Sequence, residues 1–187
     1  ASSHGLEQGR LEGVNFKAGI FTNFSHDHLD YHKSMKNYFN SKMILFEKLL
    51  NKNKYLITDA NIIEFLKLKS ISKKRKLKIL TINNETISKK NKELTQLVGS
   101  FQFKNLSMSI LASKLCGIKD TQIDKIFNKI KCVSGRLELI RQLPNKSKIF
   151  IDYAHTPDAL HNSLNSLKSH YRDEITLVFG CGGNRDQ

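Results

Sequence analysis

Phe21-Thr22-Asn23-Phe24-Ser25-His26-Asp27-His28-Leu29-Asp30-Tyr31-His32, with Lys42 one helix later, is the stretch whose reading decides the fold. An apolar, β-prone approach from Ala18 to Phe24 breaks into a polar burst of His and Asp. A helical pattern then resumes through Tyr38, Met43, Ile44, Leu45 and Leu49. Strand, polar turn and helix in that order present chemistry in an α/β domain, because ligands gather at the carboxyl ends of parallel strands. His26, Asp27, His28, Asp30 and His32 are more proton-active and metal-capable groups than an ordinary connection carries. Three uses stay open for them. They suit a divalent-metal site with oxygen and imidazole donors, a general-base site, or a solvated helix start in which Asp27 and Asp30 meet the dipole. On frequency alone the helix start is favoured.

Outward from this stretch, the chain has 187 residues, enough for one ordinary domain or parts of two. Hydrophobic residues at 39% and charged residues at 26% describe a globular chain and exclude a disordered one. No apolar run approaches the roughly 20 residues of a membrane span, and Ala-Ser-Ser-His-Gly is not a signal peptide. The start without Met and the stop just after a Gly-rich loop lead us to expect an internal piece of a longer protein. Cys116, Cys132 and Cys181 show no pairing or metal spacing. Cys116 and Cys132 lie among apolar neighbours and are expected as buried free thiols, as in a reducing cytoplasm. The net charge of +14 raises nucleic-acid binding. Its excess is scattered lysine, however, and the densest run, Lys67 to Lys76, lacks aromatics for base stacking. A solvated basic face is the preferred reading, with anionic small substrates next.

In chain order, Ser2, His4, Gln8 and Arg10 offer a set for an anionic or polar substrate, or else a capped short helix with an exposed arginine. Val14–Phe24 is expected as a strand and Met35–Leu50 as a helix, within which nothing in the spacing singles out Lys42. Strands follow at Lys54–Asp59 and Leu77–Ile82, with a helix at Asn61–Lys69 between them. Residues 83–93 read as polar and peripheral. Gly99 and Ser100 punctuate the start of a long helix. Gln102 and Asn105 share one face near its positive end, where amides can meet an adenine edge or satisfy backbone. Thr121–Ile130 is a further amphipathic helix. A hairpin-like turn at Pro144-Asn145 precedes a buried strand, Lys148–Asp152. Pro157 then opens a helix to about Tyr171, and Ile175–Phe179 is expected as the next buried strand. Strand, helix, strand of these lengths is a βαβ unit. The Gly-Cys-Gly-Gly turn at 180–183 resembles a phosphate cradle only loosely.

The order of these pieces is informative. Ser-Ser-His-Gly-Leu, the stretch 21–32, Lys42, Gly135-Arg136-Leu137-Glu138, Asp-Tyr-Ala-His-Thr-Pro-Asp-Ala-Leu from 152, and Val-Phe-Gly-Cys-Gly-Gly-Asn-Arg-Asp to 186 closely resemble the Mur ligase family. The likeness runs from residue 2 to 186 and is strongest to the branch that adds the third residue of the peptidoglycan stem peptide. It implies an α/β fold: the latter half of a central ATPase domain over residues 1–134, with a parallel sheet and flanking helices, then the start of a Rossmann-like carboxy-terminal domain over 135–187. It also implies an ATP-dependent amide ligase with Mg²⁺, acting in the cytoplasm as a monomer. The substrates would be UDP-N-acetylmuramoyl-L-alanyl-D-glutamate and diaminopimelate, with no nucleic-acid partner and no membrane span.

By the same resemblance Ser2, Gln8 and Arg10 contact the UDP-muramoyl substrate, and His4 helps hold magnesium. Lys42 matches a lysine carried as a carbamate, an anionic oxygen ligand. Asn105 faces adenine, while Arg136 and Asp152, with His155, surround phosphates and ribose. Arg185 binds the incoming amino acid's carboxylate, and the burst at 26–32 shapes the carbamate pocket. Gln102 stands where asparagine is common and Asn184 where aspartate is common. The ATP phosphate loop, an acidic metal ligand before Ser2, and the motif that separates diaminopimelate from lysine enzymes are expected outside these 187 residues. Gly-Cys-Gly-Gly-Asn-Arg-Asp leans toward diaminopimelate. The alternatives are an L-lysine-adding enzyme, a cyanophycin or folylpolyglutamate synthetase-like ligase, and, more distantly, a basic nucleic-acid-binding module.

Overall fold

The computed structural model describes residues 1–83, 86–171 and 174–180. They divide into two units, Ala1–Thr86 with Lys104–Ile123, and Ile87–Phe103 with the residues from Asp124 onward. Each is described by itself.

In the first unit, β2 (Tyr55–Asp59) lies between β1 (Ala18–Phe21) and β3 (Lys78–Ile82), and both pairings are parallel. Side chains alternate across a strand, and β2 is apolar at consecutive positions, so both of its faces must be covered. Leu56 packs with Met43, Phe46 and Leu50 of the preceding segment and with Leu68 and Ile71. Ile57, on the opposite face, packs with Ile82, Met108, Leu111 and Ala112. The covering elements are α3 (Met35–Ile44), α4 (Phe65–Arg75) and α6 (Ser100–Leu115). Two short helices, α1 (Ser3–Glu7) and α2 (Leu29–His32), complete the approach to the site. Where a helix was expected to Leu50, α3 gives way to a π-helical turn, Leu45–Leu49, closed by the Leu50 N–H donating to the Leu45 carbonyl at 2.9 Å. This wide turn seats Phe46 and Leu50 against β1 at Gly19. A Cβ there would fall 2.7 Å from Leu50 Cδ1 and 2.9 Å from Phe46 Cε1. The strand requires glycine for close approach.

The second unit contains α5 (Lys89–Leu94) in the region expected to be merely polar, and α8 (Pro157–Tyr171) as expected. The predicted helix 121–130 resolves into α7 (Asp120–Asp124), which straddles the division between units, and a 3-10 turn at Phe127–Lys129. β4 (Glu138–Gln142) and β5 (Lys148–Ile151) form an antiparallel hairpin around the Pro144-Asn145 turn, with a bulge between Leu139 and Arg141. Gly99, at φ +91°, precedes α6 where an added Cβ would meet Ser166 at 2.6 Å.

Three expectations are corrected. β5 is not a buried strand: β4 is its ladder partner, and Ile149 and Ile151 stay 45% and 51% exposed. Residues 175–179 form no strand, since 174–180 has no ladder partner among the described residues and leaves Val178 and Phe179 in solvent. Cys116 is exposed and Cys132 half-exposed, because Cys116 falls where α6 breaks off the core at Gly117 (φ +93°). Cys181 lies outside the described residues.

The contact at Gly19 is checkable. Gly19→Ala should destabilise the protein by about 1–3 kcal/mol, the cost of overfilling a packed core. Urea unfolding of the variant and the parent measures it.

Candidate active site

The polar burst does not stay in one loop. Ser2 caps α1, its Oγ accepting from the Gly5 N–H at 3.1 Å, and this places His4 on the first turn. His28 takes the left-handed conformation (φ +56°) just before α2, where its N–H donates to Asp27 Oδ1 at 2.8 Å. Ser34 caps α3 by accepting from the Asn37 N–H. These local turns bring His4, His28, Tyr31, His32 and Tyr38 into one ring cluster. The His4 ring lies 4.0 Å from Tyr31 and 5.2 Å from both His28 and His32. His32 stacks on Tyr38 at 5.2 Å, tilted by 25°.

His32 is the buried member. Its Nε2 meets Ser3 Oγ at 2.9 Å, and its Nδ1 faces Glu7 Oε2 and Ser41 Oγ, both at 3.3 Å. Burial lowers its pKa, Glu7 opposes that, and His4, His28 and Lys42 add to it. Every ring nitrogen is engaged by protein, so His32 organises the cluster. His26, Asp27, His28 and Asp30 stay at or near solvent.

Lys42 lies one turn beyond Tyr38 on α3, and its Nζ sits 4.7 Å above the Tyr38 ring. The i, i+4 spacing produces that contact. Burial pushes the Lys42 pKa down while Asp27 pulls it up, and burial pushes Tyr38 up to about 12. Lysine here is a desolvated amine with a depressed cost of deprotonation.

Other predicted residues have different surroundings. Gln8 and Arg10 are exposed, Gln8 as the cap that ends α1. Asn105 is exposed on α6, its carbonyl accepting from Ser109 Oγ at 2.9 Å. In the second unit the Arg136 guanidinium stacks 5.1 Å over Tyr153, and the Arg136 carbonyl accepts from Gln102 Nε2 at 3.1 Å. Asp152 is occupied by its own fold. Its Oδ2 accepts from the Leu137 N–H at 2.7 Å, and its Oδ1 from Ala154 N–H at 2.8 Å and Ser163 Oγ at 3.1 Å. His155 Nδ1 lies 2.9 Å from the Tyr153 carbonyl. Arg185 lies outside the described residues. Sequence reasoning missed Ser3, Glu7, Ser41 and the role of Tyr38. Only Tyr38 had a local signal, its helical spacing from Lys42.

Among the described residues no three His, Cys, Asp or Glu side chains gather as a metal site. His4 and an unmodified Lys42 do not hold a dication. A carbamate on Lys42, as the resemblance implies, would add a hard oxygen donor, the kind of ligand that magnesium takes alongside waters and substrate oxygens.

The first unit is an α/β domain with a parallel sheet, and comparison with known proteins gives its family. Residues 1–118 match the Mur ligase middle domain and residues 135–187 the Mur ligase, glutamate ligase domain. The chain belongs to the Mur ligase family. It is 39% identical to a UDP-N-acetylmuramoyl-L-alanyl-D-glutamate--2,6-diaminopimelate ligase of Rickettsia montanensis, over 100% of this chain and 43% of that protein. The corresponding protein of Aquifex aeolicus (strain VF5) is also 39% identical, over 100% of this chain and 41% of its own length. A solved structure of a ligase of that name superposes with a TM-score of 0.70 at 28% identity, covering 100% of this chain and 42% of the other. The chain thus spans about two fifths of the relatives it matches. A MurF structure from Acinetobacter baumannii shares the fold, at 12% identity and a TM-score of 0.65, over 81% of this chain and 37% of its own.

The contrast between two histidines tests the cluster. His32→Asn should cost about 1–3 kcal/mol, because it leaves the buried Ser3 and Ser41 hydroxyls without their ring nitrogens. His28→Asn should stay within about 0.5 kcal/mol, since asparagine tolerates the left-handed backbone and the site is exposed. Urea unfolding of both variants decides it.

Proposed function

We propose that this chain is part of an ATP-dependent ligase that adds meso-diaminopimelate to UDP-N-acetylmuramoyl-L-alanyl-D-glutamate in peptidoglycan synthesis. The observation that carries the reading is the likeness, along the whole chain, to ligases bearing that name. Residues 1–134 would belong to the central ATPase domain and 135–187 to the amino-acid-binding domain, which the start of the second family match at residue 135 supports. The enzyme would act in the cytoplasm as a monomer on small molecules, with no nucleic-acid partner. Its lysine excess would then be a solvated basic face. No helix among the described residues is long and apolar enough to cross a membrane.

In this reading a carboxylate oxygen of the muramoyl dipeptide attacks the γ-phosphorus of ATP and ADP departs. The amine of diaminopimelate then attacks the acyl carbon, phosphate leaves, and an amide remains. Three anionic groups must approach one another, so the site needs fixed cationic and hydrogen-bonding groups. Ser2, Gln8 and Arg10 would bind the muramoyl substrate, the arginine through its fork of donors. Asn105 would meet adenine, and Arg136, Asp152 and His155 the phosphates and ribose. Asp152 would act there chiefly by fixing the turn around Leu137 and Ala154, since its oxygens already accept from both. Arg185 would take the amino acid's carboxylate. Magnesium, when bound through His4 and the carbamate of Lys42, would screen charge between the phosphates and the acceptor.

Lys42 is suited to that modification. Its amine attacks carbon dioxide only when unprotonated, giving a carbamate and releasing a proton. A pKa lowered by burial raises the fraction of free amine near neutral pH.

Two measurements bear on this. In the full-length protein Lys42→Ala should reduce ligation by on the order of 10²-fold or more, by analogy with loss of one transition-state-stabilising group. The circular dichroism spectrum should be unchanged. Lys42→Arg should be equally impaired, because guanidinium stays cationic and takes up no carbon dioxide, and short carboxylates should restore part of the Lys42→Ala rate. Wild-type rates from Lys42→Arg would sink the carbamate. Separately, Asp152→Ala should raise the KM for ATP more than the KM for the amino acid, and equal effects on both would count against its placement.

A further inference from the structure

Asp59 is a buried carboxylate that none of these roles uses. It ends β2 with 1% of its surface exposed, at the carboxyl edge of the parallel sheet, where α/β folds take their ligands. Its Oδ1 accepts from the Asn61 backbone N–H at 2.9 Å and from Asn61 Nδ2 at 3.1 Å. Its Oδ2 lies 2.7 Å from Nζ of Lys104, a residue of α6. Burial alone would push the carboxyl up. Lys104 and Asn61 together outweigh it and hold the group below the usual carboxylate range. A carboxylate out of water persists only when paired and hydrogen-bonded, so Asp59 needs this partner although the Lys104 side chain is itself half exposed.

The pair also occupies a particular place along α6. The apolar packing of that helix on the sheet runs through Met108, Leu111, Ala112 and Leu115, all beyond Lys104. Dispersion and hydrophobic contact are non-directional, so that packing does not by itself fix the height of the helix at Lys104. Lys104 ties it at a defined point to the end of β2. The next residue, Asn105, is the exposed amide placed toward adenine above.

We propose that the Asp59–Lys104 ion pair is a strut that sets the height of α6 over the sheet and thereby aims Asn105 at the nucleotide base. Asp59 and Lys104 are positioning residues in this role, which rests on the reading of Asn105 as the adenine-facing side chain.

Steady-state kinetics of the full-length ligase test it with Lys104→Met, Lys104→Arg and Asn105→Ala. Lys104→Met should raise the KM for ATP about tenfold, the scale of a small displacement of a binding group. Its kcat at saturating ATP and its KM for the amino acid should stay within about twofold, a limit well below that displacement effect. Lys104→Arg keeps the charge and can still pair with the carboxylate, so its ATP KM should return near the parent value. Should Lys104→Met prove too unstable to assay, Asp59→Asn with Lys104→Gln removes both charges without stranding a buried carboxylate, and should show the same rise. A Lys104→Met or double variant that loses urea stability with an unchanged ATP KM overturns the proposal and leaves the pair a stabilising contact. An unchanged ATP KM in Asn105→Ala would instead remove the adenine reading, and the strut's purpose with it. A rise in Asn105→Ala without one in the Lys104 variants rejects the strut alone.

Discussion

The burial of β2 on both faces is the constraint on which the first unit depends. A strand with Leu56 and Ile57 adjacent cannot turn either side to water, so helices must cover the sheet above and below. Parallel neighbours follow from the helical crossovers, and parallel strands bring their carboxyl ends to one edge. Asp59 stands at that edge, and β1 ends there in the run that leads to the histidine burst. The π-helical turn after α3 belongs to the same constraint. It rotates Phe46 and Leu50 onto the patch that Gly19 keeps flat, which holds the helix carrying Lys42 against the sheet.

That sheet was legible in the sequence because its signals are local. The apolar runs before Phe24, Asp59 and Ile82, and the helical patterns between them, each announce themselves within a few residues. What escaped needed distant partners. The bonds from His32 to Ser3 and from Asp59 to Lys104 join segments far apart in the chain, and no spacing rule reaches that far. The strand expected at 175–179 failed for the opposite reason. Its apolar pattern is a sound local signal, but a strand exists only through a ladder, and its described residues have none. Residues 83–93 show a third case: Ser88 capping Asn91 starts α5 where composition alone indicated only polarity.

The candidate site divides in the same way. The burst at 26–32 was visible as chemistry, yet its residues part company in the fold. His32 turns inward to serine and glutamate, while His28 and Asp27 remain in the turn that orders the chain before α2. The resemblance to Mur ligases supplied roles that burial could not. Burial in turn assigns work within that set: Asp152 secures a turn, and His32 secures the rings around His4.

Lys42 draws these threads together through the sign of its charge. An ammonium over the negative face of the Tyr38 ring is stabilised there, and burial is the force that disfavours it. A carbamate at the same nitrogen would be anionic, and the ring face that attracts the cation would repel it. The modified side chain therefore has reason to leave the ring and seek a cation, whereas the unmodified one has reason to stay. In such an arrangement the aromatic cluster does more than exclude water from the lysine. It gives the ammonium of Lys42 an aromatic partner that a carbamate at the same nitrogen would lack.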